Sequence, residues 1–450
     1  MDWFGRAYLG FHASSTPISF ETQDGSTTTL LDVVKETVPT CQLNPLLFNG
    51  HLQTCWTAAK KDAPPVHYKR RLFQADHSGY SGSFAVDFYV SPEDAPEDSD
   101  ESLPPRTTYF SQAELAQLEN QGADDDRPML VILHGLSGGS HEVYLRHAIS
   151  PLLESGKWEA CVINSRGCAQ SKITTGILYN ARATWDTRQA VKWLRKTFPN
   201  RPLFGIGFSL GACILTNYVG EEGSNCQLKA AIACANPWNL EVSNNALKRT
   251  FMGHNLYSKV LGSKSMLLAP SSHVFLGHPA YSGPAAMRKL AETHAEEIKK
   301  FTDFDLEKIA TMTHLYEFDR EVQCKAWGYP TENAYYRDAS SVDSVMGIRI
   351  PFLAINATDD PISAEEALPY GEIKSNPYAV LCTTSLGGHL GWFEPSGARW
   401  HTRPVTNFMN YMAFEAKLDK IKSNVGENGK IYHAGAEFDP LRRKMAVPLE

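Results

Sequence analysis

The pentapeptide Gly207-Phe208-Ser209-Leu210-Gly211 has the residue types and spacing of a serine nucleophile. It directly follows the strand-like segment PLFGI and precedes the helix-like segment ACILTNYV. A serine on such a strand-to-helix turn has a strained backbone, and the flanking glycines leave room for the turn, so that the hydroxyl projects above the sheet. We therefore predict that Ser209 is a catalytic nucleophile. The alternative interpretation is a glycine turn that serves only close packing.

A catalytic serine needs a general base, and the base needs a carboxylate that orients it. With this kind of turn, the acid and then the histidine follow the serine along the chain. His389 lies in a glycine-flanked segment after the strand-like run AVLCTTS, and we predict that it is the base. Asp359 and Asp360 follow the run RIPFLAIN. We prefer Asp360 as the acid, because Ile362 two positions later can re-enter the core. Asp359 then supports the loop, but the choice between the two aspartates stays open.

The oxyanion of a tetrahedral intermediate needs backbone N–H donors. One predicted donor is the amide of Leu210, the residue after the nucleophile. The other is the amide of Leu136, in the glycine-rich segment LHGLSGGS (133–140). The alternative is that these glycines only form a flexible turn. A phosphate-binding loop is disfavoured, because neither GxGxxG nor GxxxxGK[ST] spacing is present.

No spacing of cysteine, histidine or carboxylate residues matches a metal site, so we expect no metal and no bound cofactor. The segment HLYEFD (314–319) has the HxxxxD spacing of some acyltransferases. It lies in a helical region without glycines, and we interpret it as a solvated helix face.

Short apolar runs, each typical of a strand buried on both faces, predict the scaffold that positions these residues. They occupy residues 129–135, 159–167, 202–208, 228–236, 349–356 and 379–385. Helical patterns lie between them, for example at 180–198. The alternation indicates an α/β protein with a mostly parallel central sheet and helices on both faces.

The chain divides by composition into a catalytic core and additions to it. The predicted core is 128–240 and 348–420, and it is interrupted at 241–347 by a helical insertion that we interpret as a cap. Within this insertion, the segments 264–270, 285–301 and 304–318 are predicted to be helical. Residues 1–127 are an N-terminal extension with the first strands, and their acidic segment 91–127 is predicted to be a solvated surface loop. Residues 421–450 are a polar C-terminal tail.

The composition excludes some classes of protein. The 450 residues include 43 basic and 50 acidic ones, and no basic stripe suits a nucleic acid. We expect no transmembrane segment, because no stretch reaches the roughly 18 to 20 apolar residues that a membrane helix needs. The nine scattered cysteines favour an intracellular protein, either cytoplasmic or peripherally associated with lipid.

Several segments together resemble the α/β-hydrolase superfamily. More narrowly, the chain resembles the branch of yeast medium-chain fatty acid ethyl ester synthase/esterases, bacterial YheT-type hydrolases, plant embryogenesis-associated proteins and animal ABHD lipases. The resemblance rests on PLLFNGHLQT (45–54), LVILHGLSGGS (130–140), NSRGCAQS (164–171), GFSLGA (207–212), YYRDASS (335–341), INATDDPIS (355–363) and GGHLGWFE (387–394). It implies a triad of Ser209, Asp360 and His389. Animal members carry an N-terminal membrane anchor, which we do not expect here.

The residues and the resemblance together predict a serine hydrolase or acyltransferase that works through an acyl-enzyme. The expected substrates are medium-chain carboxylic esters or acyl-CoA thioesters, with water or an alcohol as acceptor and coenzyme A only as part of a co-substrate. Two alternatives stay open. One is the same chemistry on a specialised metabolite, and the other is a non-catalytic interaction protein that kept the fold.

Overall fold

The computed structural model of the chain describes residues 3–95, 100–249, 292–300, 305–312, 314–423, 432–433 and 436–437. Ten strands in these ranges form one sheet. In chain order they are β2 (Leu9–Ala13), β6 (His67–Gln74), β7 (Ser83–Val90), β8 (Thr107–Tyr109), β9 (Met129–Leu133), β10 (Glu159–Asn164), β11 (Leu203–Phe208), β12 (Leu228–Cys234), β13 (Phe352–Ala357) and β14 (Ala379–Thr384). Smaller sheets contain β1 (Arg6–Ala7), β3 (Ser19–Thr22), β4 (Thr27–Thr29), β5 (Cys41–Gln42), β15 (Ala416–Lys422), β16 (Tyr432–His433) and β17 (Ala436–Glu437).

The strand order in the large sheet is β2-β14-β13-β12-β11-β9-β10-β7-β6-β8. The six strands from β14 to β10 run parallel to one another. They are the apolar runs from which the sheet was predicted, and β9, β11, β13 and β14 are buried along their whole length. The predicted α/β fold with a mostly parallel sheet is therefore confirmed.

Helices cover both faces of this sheet. In chain order the described helices are α1 (Leu30–Thr37), α2 (Gly50–Ala59), α3 (Gln112–Gln121), α4 (Val143–Glu154), α5 (Thr184–Thr197), α6 (Leu210–Glu222), α7 (Leu240–Arg249), α8 (Ala295–Lys299), α9 (Leu306–Thr311), α10 (Leu315–Phe318), α11 (Cys324–Trp327), α12 (Glu332–Ala339), α13 (Tyr370–Ser375) and α14 (Thr402–Asn410). One face packs against α1, α4 and α14, and the other against α5, α6 and α13. This two-sided burial is what a parallel sheet requires.

The N-terminal region is part of the large sheet and supplies strands at both of its edges. At one edge β2 pairs antiparallel with β14. At the other edge β6, β7 and β8 extend the sheet beyond β10. The predicted extension 1–127 is therefore continuous with the predicted core.

The acidic segment 91–127 was predicted to be a solvated loop, and this prediction is wrong for its described part. It contains β8, which pairs with β6, and α3, which begins with a capping box. Glu114 of α3 forms an ion pair with Lys69, and Glu119 forms one with Arg71, both on β6. The acidic side chains balance basic side chains of the neighbouring strand, which composition alone does not indicate.

Within the predicted insertion 241–347, the described stretches contain helices joined by short turns and bends, and no strand. Helices α8 to α10 lie within segments predicted to be helical. The predicted helix 264–270 lies outside the described residues. The division into core and cap stays a prediction.

A buried ion pair joins the sheet to the glycine-rich segment. Arg70 and Asp87 form two hydrogen bonds of 2.6 and 2.8 Å, and both side chains are fully buried. Asp87 also accepts from the Ser140 hydroxyl at 2.6 Å and from the Asn164 amide at 2.8 Å. The carboxylate thereby anchors the end of the segment 133–140.

Asp87→Ala is expected to lower the free energy of unfolding by about 3–5 kcal/mol, because the buried Arg70 charge loses its partner. Denaturant unfolding measures this loss. Asp419→Ala is the matched control, since the Lys229–Asp419 pair is exposed and such pairs contribute less than about 1 kcal/mol. Equal losses in the two variants would contradict the prediction.

Candidate active site

Ser209 lies between β11 and α6 in a conformation that few residues adopt. Its φ of 52° and ψ of −119° lie outside the ordinary regions for a non-glycine residue. A Cβ on Gly207 would lie 2.4 Å from the carbonyl oxygen of Gly211, and a Cβ on Gly211 would lie 2.4 Å from that of His134. The two glycines are therefore required by the backbone contacts of this turn, as the sequence predicted.

The structure brings the three predicted triad residues together. His389 Nε2 lies 2.8 Å from Ser209 Oγ, and His389 Nδ1 lies 2.8 Å from Asp360 Oδ2. The histidine can thus accept the serine proton at one ring nitrogen while the carboxylate holds the other. Asp360 and His389 are both buried.

The two neighbouring aspartates make different contacts. Asp360 Oδ1 accepts the backbone amides of Ile362 and Ser363 at 2.7 and 2.9 Å, which leaves Oδ2 for the histidine. Asp359 Oδ1 accepts the backbone amide of Gly388 at 2.9 Å. Asp360 therefore contacts the ring of His389, and Asp359 contacts the loop that carries it.

The predicted oxyanion donors, Leu136 and Leu210, both line the cavity at Ser209. A Cβ on Gly135 would lie 3.4 Å from the Cβ of Ser209, so the glycine-rich segment passes directly beside the nucleophile. Among the described residues, no hydrogen-bond acceptor is recorded for the amide of either leucine. These amides are available to a substrate oxygen, and their catalytic role stays a prediction.

Two tyrosines that the sequence analysis did not single out hold this segment in place. The Tyr144 hydroxyl accepts the amide of Gly135 at 2.7 Å, and the Tyr179 hydroxyl accepts the amide of Ser137 at 3.0 Å. Burial raises the pKa of both phenols well above the ordinary value, so that both hydroxyls stay neutral. In the chain, the amide of Leu136 lies between the amides of Gly135 and Ser137, which donate to these two hydroxyls. No sequence motif marks either tyrosine.

A cavity of about 300 Å³ opens above Ser209. Its apolar wall is formed by residues of the predicted core and of the predicted insertion 241–347 together, namely Leu136, Leu210, Pro237, Leu240, Leu315, Ile362 and Leu390. Tyr335 and Tyr336 of α12 also line it, and Tyr336 donates to Asp319 Oδ2 at 2.6 Å. Burial raises the pKa of Asp319 to about 7, although the hydrogen bond from Tyr336 opposes this shift.

The interpretation of HLYEFD as a solvated helix face is wrong. His314 and Asp319 are both buried, and Asp319 lines the cavity. The sequence predicts the helical spacing of the segment, but the side that it buries depends on how Phe318 and the residues after it pack against residues 168–185. The sequence of the segment alone does not contain that information.

Among the described residues, no group of three or more histidine, cysteine or carboxylate side chains is arranged to hold a metal ion. In the same part of the chain, no helix has the length and apolar character needed to cross a membrane.

Comparisons with known proteins agree with this geometry. A family model described as alpha/beta hydrolase fold matches residues 128–261. A monoacylglycerol lipase of Saccharomyces cerevisiae is 34% identical over 442 residues, which cover 91% of this chain and 91% of the relative. The medium-chain fatty acid ethyl ester synthase/esterase 2 of the same yeast is 33% identical, with 82% of this chain and 84% of the relative covered. Phospholipase ABHD3 of Mus musculus is 30% identical, with 74% and 68% covered. The chain therefore belongs to the α/β-hydrolase superfamily, in the branch of these lipases and esterases.

Proposed function

We propose that this protein cleaves fatty acyl esters through a covalent acyl-serine intermediate. The observation that carries the proposal is the continuous hydrogen-bonded line from Asp360 through His389 to Ser209, with 2.8 Å at each step. This line ends in a cavity with an apolar wall, as a fatty acyl chain needs.

In the first half-reaction His389 Nε2 accepts the proton of Ser209 as Oγ bonds to the acyl carbon. The carbonyl electron pair moves onto oxygen, and the amides of Leu136 and Leu210 donate to the resulting oxyanion. The bond to the leaving alcohol then breaks, and His389 gives its proton to the departing oxygen. The carboxylate of Asp360 orients the imidazole ring and stabilises the imidazolium.

In the second half-reaction an acceptor hydroxyl attacks the acyl-serine, again with His389 as base. Water gives a free acid, and an alcohol gives a new ester. Both outcomes use the same groups, so the chemistry of the triad permits acyl transfer as well as hydrolysis. An acyl-CoA thioester can load Ser209 in the same way, with coenzyme A as the leaving group, and neither route needs a bound cofactor.

The proposed substrate carries a single acyl chain of medium length. The relatives named for monoacylglycerol and for medium-chain ethyl esters support a single-chain ester.

A second candidate substrate is an ester whose alcohol carries free hydroxyl groups. Asp319 and the Tyr336 hydroxyl bonded to it place polar groups in the wall of the cavity. A neutral or ionised carboxyl and a phenol can both pair with hydroxyls. An acylglycerol satisfies this requirement, whereas a simple alkyl ester does not.

A chain-length series of p-nitrophenyl esters, acylglycerols and acyl-CoA thioesters, each with and without ethanol, tests the proposal. We expect kcat/KM to rise about three- to fourfold for each added methylene until the cavity is full, because each buried methylene contributes about 0.8 kcal/mol. Longer chains should gain nothing more. Ethyl ester formed in preference to free acid would establish transfer, and free acid alone would establish hydrolysis. Turnover of none of these compounds would overturn the proposal.

A further inference from the structure

We propose that the segment Gly50–Thr54, at the start of α2, acts as a brace that positions the His389 loop. The brace consists of Gly50, Gln53 and Thr54. The inference rests on the proposed function, because it assigns positioning residues to the same triad. It also gives a role to a segment, GHLQT, that the sequence resemblance singled out but to which the triad chemistry assigns none.

Thr54 holds the backbone of the catalytic histidine itself. Its Oγ1 accepts the amide N–H of His389 at 2.8 Å and donates its own proton to the carbonyl oxygen of Gly50 at 2.6 Å. Because the hydroxyl proton is used within α2, the oxygen can turn a lone pair towards His389. The position of the histidine backbone is thereby tied to the axis of the helix.

Gln53 holds the far end of the same loop. Its side chain is fully buried, and its Oε1 accepts the amide of Phe393 at 2.8 Å while its Nε2 donates to the carbonyl of Leu47 at 3.0 Å. Both ends of the side-chain amide are therefore used. The orientation of the amide is fixed by one donor and one acceptor on the backbone.

Gly50 allows the helix to contact both catalytic loops. A Cβ on Gly50 would lie 1.9 Å from the carbonyl oxygen of Asp359, so only glycine fits between α2 and the acid loop. Gly388 has a φ of 58°, and a Cβ on it would lie 2.4 Å from the carbonyl oxygen of Gly50. The helix thus contacts the loop of the acid on one side and the loop of the base on the other.

The histidine loop needs such external support because it contains little regular structure. The described residues from Ser385 to Trp392 form turns and bends, without a helix or strand. The carbonyl of Leu390 accepts from Arg399 on another side of the loop. A displacement of about 1 Å at the reacting atoms can reduce a rate a hundredfold, so a brace at the backbone of His389 controls the rate.

The brace is separate from the substrate cavity. Thr57, one turn further along α2, lines that cavity, but Thr54 is not among the described residues that do. Loss of the Thr54 hydroxyl is therefore expected to lower kcat without changing KM. Loss of a residue that contacts the substrate would change KM as well.

The test compares Thr54→Val, Thr54→Ser and Thr37→Val with the wild type, using a medium-chain p-nitrophenyl ester. Valine keeps the shape of threonine but removes the acceptor, and serine restores it. Thr37→Val is the matched control, because in the described part of the chain the buried Thr37 hydroxyl donates to carbonyls of its own helix, α1. Thermal unfolding of each variant reports any loss of stability.

We expect Thr54→Val to lower kcat ten- to a hundredfold with KM within about twofold, and Thr54→Ser to recover most of the loss. The proposal is overturned if Thr54→Val keeps kcat within twofold, if serine does not restore it, or if Thr37→Val loses as much. Should Thr54→Val not fold, Gln53→Met gives the same readout at the other end of the loop. A wild type that neither turns over the ester nor reacts with a fluorophosphonate refutes the proposed function instead.

Discussion

Ser209→Ala is expected to reduce ester hydrolysis by several orders of magnitude, towards the roughly 10⁶-fold loss that follows removal of a triad nucleophile. The hydroxyl removed is the group that lies 2.8 Å from His389 Nε2. The variant should also fail to react with a fluorophosphonate probe, which forms a covalent bond only with an activated serine. Turnover of a medium-chain ester and labelling of the purified protein measure the two effects.

Ser243→Ala is the control for this substitution. Ser243 lies on α7 and lines the same cavity, and none of the hydrogen bonds found among the described residues joins it to Ser209, Asp360 or His389. It should be labelled by the probe as strongly as the wild type. If Ser209→Ala is labelled to the same extent, or if the wild type is not labelled, Ser209 is not the nucleophile. The non-catalytic alternative would then be favoured.

Asp360→Asn is expected to lower kcat by about 10⁴-fold, because an amide cannot hold the imidazole in the required tautomer or stabilise its charged form. Asp359→Asn should cost only about tenfold. An asparagine at 359 keeps a side-chain oxygen that can accept the amide of Gly388, so the loop of His389 stays tethered. Steady-state kinetics of the two isosteric variants separate the roles of adjacent carboxylates.

The reverse order of effects would assign the acid to Asp359 and would contradict the hydrogen bond between Asp360 and His389. Equal and small losses would show that neither carboxylate orients the base. Both variants preserve volume, so a difference between them reflects charge and tautomer rather than packing. Circular dichroism of each variant establishes that the fold is retained.

The features that could be predicted from the sequence depend on neighbours along the chain. Ser209 could be placed because its turn constrains the residues on both sides, and the strands could be placed because parallel strands are continuously apolar. His389 and Asp360 could be placed because each follows such a strand. In each case a few adjacent residues contain the information.

The features that the sequence did not predict depend on contacts between distant segments. Tyr144 and Tyr179 hold the glycine-rich segment 133–140 in place through their hydroxyls, which accept its backbone amides from α4 and from the loop before α5. Asp319 lines the cavity only because the residues around it pack against residues 178–185. The acidic residues of α3 are paired only because β6 carries basic ones. Composition and periodicity describe each segment by itself and do not indicate these pairings.

The position of β2 has a consequence for how the protein is made. His12 of β2 lies opposite Leu381 of β14. The first strand of the large sheet therefore cannot pair until β14, the last strand of that sheet in chain order, has been synthesised. Until then the large sheet of the nascent chain is incomplete, and His389, which would accept the proton of Ser209, has not been synthesised. Ser209, Asp360 and His389 can therefore come together only after residue 389 has been synthesised, and a product truncated before that residue is expected to be inactive.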